Sequence, residues 1–211
     1  MRQPLQSGVS LVEMMVAMTL GLVLLAGILN LFFNALRSSH NLVAGKQIDD
    51  ELHATLDLIT RDLRRAGALG NPLRQMESSA LINPFVIDPI SAYTGEAANS
   101  CMTFGYDYNG NGSADTGSTD ERYGYRLRAG VVQMRVSGQA CTANTTPAWN
   151  NVTTSSQVLV TSLQFIVTSV TNLHVTERLA TVSIAGQLAG DSTVARSMSR
   201  SVRLRNDGYV P

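Results

Sequence analysis

From Val9 to Phe33 the chain is almost wholly apolar, and Glu13 stands inside the run with Ser10 and Thr19 as its nearest polar companions. About 20 such residues, coiled as a helix, cross a bilayer core. The pattern then becomes periodic. Ile48, Leu52, Leu56, Ile59, Leu63 and Ala66 recur at steps of three and four, the stripe of an amphipathic helix. Asp49, Asp50, Glu51, Asp57, Arg61 and Arg64 fall off that stripe. Arg61, Arg64 and Arg65 close it, where cations suit the negative end of the helix dipole, and Gly67 and Gly70-Asn71-Pro72 stop it.

Beyond the glycines the period drops to two. Tyr123, Tyr125 and Leu127 alternate with Gly124, Arg126 and Arg128; after Ala129-Gly130, Val132, Met134 and Val136 alternate with Gln133 and Arg135. A two-residue turn pairs Leu127 with Val132, Tyr125 with Met134 and Tyr123 with Val136, all on one face, which predicts a hairpin. Further strands are expected at Val158–Val170, Leu179–Leu188 and Met198–Arg205. A long N-terminal helix packed on an antiparallel sheet is an α+β layer arrangement. The predicted organisation is a leader over 1–8, a transmembrane helix half over 9–36, an amphipathic half over 37–66 and a β-rich head over 67–211.

Composition narrows the function. A chain of 211 residues holds one globular domain and an appendage. Sixteen basic and sixteen acidic residues cancel, which argues against a generic binder of polyanions, because phosphate binding needs excess Lys and Arg. No HExxH, no phosphate-binding Gly-Lys loop and no G-x-S-x-G occurs, so no enzyme is expected. His40, His53 and His174 are scattered, and Trp149, set among Asn and Thr, reads as a loop anchor.

The N-terminal run invites two bland readings, a secretory signal peptide and a plain anchor. A signal peptide has an apolar core of about 7–15 residues before a small-residue cleavage site. Here the run is longer and leads into a helix. Against a plain anchor stands Glu13, since an ionisable group at membrane depth is costly and marks function. Ahead of the run lies a short polar leader with one Arg, Met1 to Gly8, followed by Val9-Ser10-Leu11-Val12-Glu13.

These residues resemble the type III signal of prepilins. The resemblance implies that a dedicated prepilin peptidase cuts after the glycine on the cytoplasmic side. The new N-terminal residue, usually Phe, is then N-methylated, and the fifth mature residue is Glu. Carried over, Gly8 is the cleavage residue, Val9 the new N-terminus and methylation site, and Glu13 the fifth-position Glu that acts in assembly. Val9 departs from the usual Phe. In an apolar filament core the Glu13 carboxylate needs a partner, and the α-amine of a neighbouring subunit can supply it.

Arg61-Asp62-Leu63-Arg64-Arg65-Ala66-Gly67, the segment from Asp120 to Leu127 and the closing Val202-Arg203-Leu204-Arg205-Asn206 are similar to PilW-type minor pilins and to J-type minor pseudopilins of type II secretion. The resemblance implies a subunit of a type IV pilus tip or initiation complex. Its partners would be other minor and major pilins, the peptidase and the inner-membrane assembly platform. It would be a single-pass inner-membrane protein with a periplasmic head, later part of a surface filament. A secretion pseudopilus is the alternative. A DNA-uptake role would use Arg122, Arg126, Arg128, Arg135, Arg196, Arg200, Arg203 and Arg205, several of which could share a face, but zero net charge opposes it.

Cys101 and Cys141 form an even count with no CxxC pair, which in an exported protein reads as one disulfide. Asp107-Tyr-Asn109-Gly-Asn111-Gly112-Ser113-Ala-Asp115 matches the first nine positions of an EF-hand calcium loop. Asp107, Asn109, Asn111, Asp115 and the Ser113 carbonyl would be the ligands. Ser118 stands where the twelfth-position Glu belongs, and Asp120 and Glu121 lie just beyond. The other reading is a polar turn without an ion, since Asn-Gly repeats are ordinary turn chemistry.

Overall fold

The computed structural model describes residues 8–71, 83–85, 90–117, 119–136, 138–144, 149–172, 175–204 and 208–209. The chain divides into two units, residues 1–43 and 44–211. Helix α1, Leu11–Leu63, begins in the first and ends in the second. In the first unit every described residue is exposed, and Val12, Met15, Leu22, Leu25, Ile28 and Phe32 are among the apolar side chains facing outward. A surface so apolar all round belongs in lipid or in a packed assembly, not in water.

In the second unit the helix shows one face to the interior. Ile48, Leu52, Leu56, Ile59, Leu63 and Ala66 are buried, the stripe read from the spacing, and Ala44 extends it by one turn. Each of the large ones contributes about 1.5–3 kcal/mol relative to exposure. Thr55 and Thr60 are buried between them and donate their hydroxyls to the Glu51 and Leu56 carbonyls. The helix tightens at its end, where Arg65 N–H and Ala66 N–H reach the Asp62 and Leu63 carbonyls three residues back. Gly67, at φ 76°, then turns the chain in the left-handed region that favours glycine.

Two antiparallel sheets complete this unit. The first has the order β1-β2-β3-β4, with β1 Cys101–Gly105, β2 Arg122–Arg128, β3 Val131–Arg135 and β4 Trp149–Asn151. The second has the order β5-β6-β7, with β5 Val158–Asn172, β6 Val175–Leu188 and β7 Asp191–Arg203; β8, Gly208–Tyr209, also pairs with β6. The hairpin register holds as read: Tyr125 faces Met134 and Leu127 faces Val132. Ala129 and Gly130, at φ 49° and 76°, make the tight turn. Tyr123 and Val136 do not extend the ladder, because β3 ends at Arg135. β7 begins at Asp191, ahead of the expected Met198, since pairing with β6 supplies the hydrogen bonds that its polar sequence does not advertise.

A bulge between Val160 and Ser162 explains why β5 lacks a clean alternation. Val158 and Val160 point inward before it, and Leu163 and Phe165 after it. With Val182, Ile184, Val194 and Val202 they meet the helix stripe. Gly186 gives the closest approach, since a Cβ there would meet Leu52 Cδ2 at 3.2 Å. The first sheet adds Met102, Phe104, Tyr125, Leu127 and Val132 to the same core.

Candidate functional site

Gly8, Val9 and Glu13 lie at the start of α1. Leu11 opens the helix, the Met14 N–H donates to the Ser10 carbonyl, and Glu13 sits in the first turn. A carboxylate there lies beside free backbone N–H groups and the positive end of the helix dipole. Val9 is 74% exposed and Gly8 has open space about it, so neither is sequestered by the fold. The helix is long and apolar enough to cross a membrane by length and composition.

In the head, Cys101 and Cys141 form a disulfide with a sequence separation of 40 residues. The pair packs with Trp149, which is buried rather than set in a loop. The same cluster holds Arg126, the largest fully buried side chain among the described residues. Its Nη1 donates to the Cys141 and Ala143 carbonyls at 2.7 Å each, and its Nε donates to Gln133 Oε1 at 2.9 Å. Its guanidinium lies 4.3 Å from the Trp149 ring centre and 4.9 Å from that of Tyr93. Burial, together with the nearby Arg128 charge, pushes Arg126 down to about 10. Carbonyl dipoles and two aromatic faces take the place of a counter-carboxylate.

The segment from Asp107 to Glu121 closes on itself. Asp107 Oδ1 accepts the Gly110 N–H, and its Oδ2 accepts those of Gly70 and Gly112. Burial raises this carboxyl, but the amides of Gly70, Gly112, Gly110 and Asn111 outweigh it and hold Asp107 below its usual range. Asp115 Oδ2 accepts both the Asn109 and Asn111 carboxamides, whose own oxygens accept the Asn111 and Ser113 N–H groups. Glu121, 1% exposed, accepts the N–H groups of Tyr108, Asn109 and Asp115. Ser118 lies outside the described residues. Among the described residues no group of three or more acidic, His or Cys side chains is placed to hold a metal ion. The candidate side-chain oxygens accept N–H groups of the loop itself, and Glu121 is the residue around which the loop is built. Its position just past the acidic repeat was visible in the sequence, but its burial was not.

The strand arginines do not form one basic face. Arg126 and Arg135 are buried. Arg122 pairs with Asp120, Arg196 with Asp49, Arg200 with Asp57 and Arg203 with Glu177. Arg205 and His174 lie outside the described residues, and His40 and His53 are exposed on the helix.

Residues 4–29 match the prokaryotic N-terminal methylation motif, and residues 41–204 match the family described as prepilin peptidase-dependent protein B. An uncharacterized protein of Haemophilus influenzae is 27% identical over 157 residues, covering 56% of this chain and 65% of that protein, less than two thirds of its length. No solved structure matches the chain. A prepilin signal, an apolar helix and a β-rich head fall together in one protein, and the match over residues 41–204 spans most of it: the chain belongs to the prepilin peptidase-dependent protein B family of pilin-like proteins.

Proposed function

We propose that this protein is a non-catalytic minor pilin that helps start a type IV pilus or forms part of its tip. The observation that carries this reading is Glu13, the one carboxylate of residues 9–43, in the first turn of a helix whose apolar side chains are exposed all round over that stretch. Such a helix serves first as a membrane anchor and then as a filament strand, packed among like helices. Glu13 of one subunit meets the Val9 α-amine of the next once the leader is removed at Gly8, and this pairing sets their register. The disulfide supports an oxidising compartment for the head, as the periplasm is. Other pilins and the inner-membrane assembly platform are its partners.

The test is fractionation of cells carrying Glu13→Ala. The variant should remain in the inner membrane at normal amounts and fall sharply in sheared filaments. Wild-type amounts of the variant in filaments would overturn the reading. Loss of protein secretion with intact pili, on deleting the gene, would favour the pseudopilus instead.

A further inference from the structure

The last turn of α1 and the residues just past it form a basic cluster that the assembly signal does not explain. Arg61, Arg64 and Arg65, with Ala68, line a cavity of about 270 Å³. Three guanidinium groups share it with little opposing charge. Asp62 is adjacent, but its Oδ2 already accepts the Tyr125 hydroxyl, and its Oδ1 reaches Arg61 Nε only at 4.0 Å. No other ion pair joins the three arginines among the described residues, whereas Arg122, Arg196, Arg200 and Arg203 each have an acidic partner. Arg65 is steadied by the Tyr106 ring 5.8 Å away, itself stacked on Tyr123 with ring centres 4.2 Å apart. Arg61 and Arg64 are exposed.

We propose that this cavity docks an acidic side chain of a neighbouring pilin-like subunit. The proposal rests on the pilin reading above. Guanidinium forks match a carboxylate in two parallel hydrogen bonds, and arginine is the usual choice where such recognition is needed. Charge complementarity favours a protein partner. The same helix displays Asp49, Asp50, Glu51 and Asp57 ahead of the arginines, and Glu51 has no ion pair among the described residues. Parallel helices offset by the ten residues from Glu51 to Arg61, roughly 15 Å, bring that carboxylate level with the next arginine end. A nucleic-acid strand is disfavoured, because the remaining paired arginines offer no basic track for it.

A photo-crosslinking amino acid at Ala68, in the full chain in living cells, tests this while leaving all three arginines in place. Irradiation should join the protein to a second pilin-like subunit through a peptide bearing Asp or Glu. Arg61→Gln with Arg64→Gln should lower that yield about tenfold, as loss of interfacial charge pairs does. Arg61→Lys with Arg64→Lys should keep most of it. Arg65 is left intact because it packs on Tyr106, and non-reducing gels confirm that each variant retains its disulfide. Absence of an adduct, an adduct to lipid or nucleic acid, or a yield indifferent to the glutamine changes would overturn the proposal. If the unaltered protein is missing from sheared filaments, the pilin reading itself fails; if it is present and the crosslink is unmoved, only the docking site does.

Discussion

Tyr125 donates its hydroxyl to Asp62 Oδ2 at 2.5 Å, joining the middle of β2 to the last turn of α1 across 63 residues of sequence. The bond fixes where the helix end meets the hairpin. Burial, reinforced by Asp62, pushes the Tyr125 phenol well above its ordinary value of 10.0. The protonated form is the one the fold prefers.

Tyr125→Phe should therefore destabilise the folded head by about 1.5–3 kcal/mol, the range for a hydrogen bond to a charged group. Because the folded-state value is raised, the contribution is complete below about pH 10 and is lost as pH rises further. Chemical denaturation between pH 8 and 11 should show a falling alkaline limb that is shallower in the variant. Equal slopes would assign that limb to other groups, with Tyr123, also raised by burial, the first to consider.

Arg126 and the disulfide form a coupled unit, since the guanidinium binds the carbonyl of Cys141 itself. Closing a loop of 40 residues contributes about 4 kcal/mol in the chain-entropy view. Arg126→Met leaves two carbonyls and the Gln133 oxygen without their donor and should cost at least about 2 kcal/mol. In a double-mutant cycle with Cys101→Ser and Cys141→Ser the combined loss should be smaller than the sum, because the released loop no longer presents those carbonyls. Strict additivity would separate the two features.

The loop around Glu121 is held by its own amides, so its order should not require an ion. Glu121→Gln should cost about 1–3 kcal/mol in the presence of chelator, and millimolar calcium should leave the melting temperature of the unaltered protein unchanged. A calcium-dependent rise that Asp107→Ala removes would show instead that the loop holds the ion. On the acid side, Asp107 is held below its usual range, so its contribution is present above about pH 4 and lost as pH falls through its lower folded-state value. Asp107→Asn should flatten that acid limb.

Cleavage is expected between Gly8 and Val9. N-terminal sequencing of the mature protein should begin at Val9, with the amine methylated. Gly8→Leu should accumulate the full-length precursor in the membrane. A mature protein that still begins at Met1 in cells with the peptidase would refute the assignment.

What the sequence determined by itself was everything local or periodic. The stripe from Ile48 to Ala66 specifies its buried face because residues three and four apart share one side of a helix, whatever they pack against. The register of Leu127 with Val132 follows from a two-residue turn and strict alternation. Gly8 and Glu13 lie within a linear N-terminal methylation motif, which is legible without the head. Only the tertiary structure decided the rest. β1 and β4 carry no clear period, and they become strands because β2 and β3 offer edges to pair with. Arg126 looks like any outward basic residue of an alternating strand until Tyr93, Trp149 and the Cys141 carbonyl arrive from distant segments to replace its water. Glu121 stands beside Asp120 in sequence, yet Asp120 pairs with Arg122 while Glu121 turns inward to three amides. Desolvation depends on which chain segments converge on a side chain, and that convergence is set by long-range contacts that no short pattern encodes.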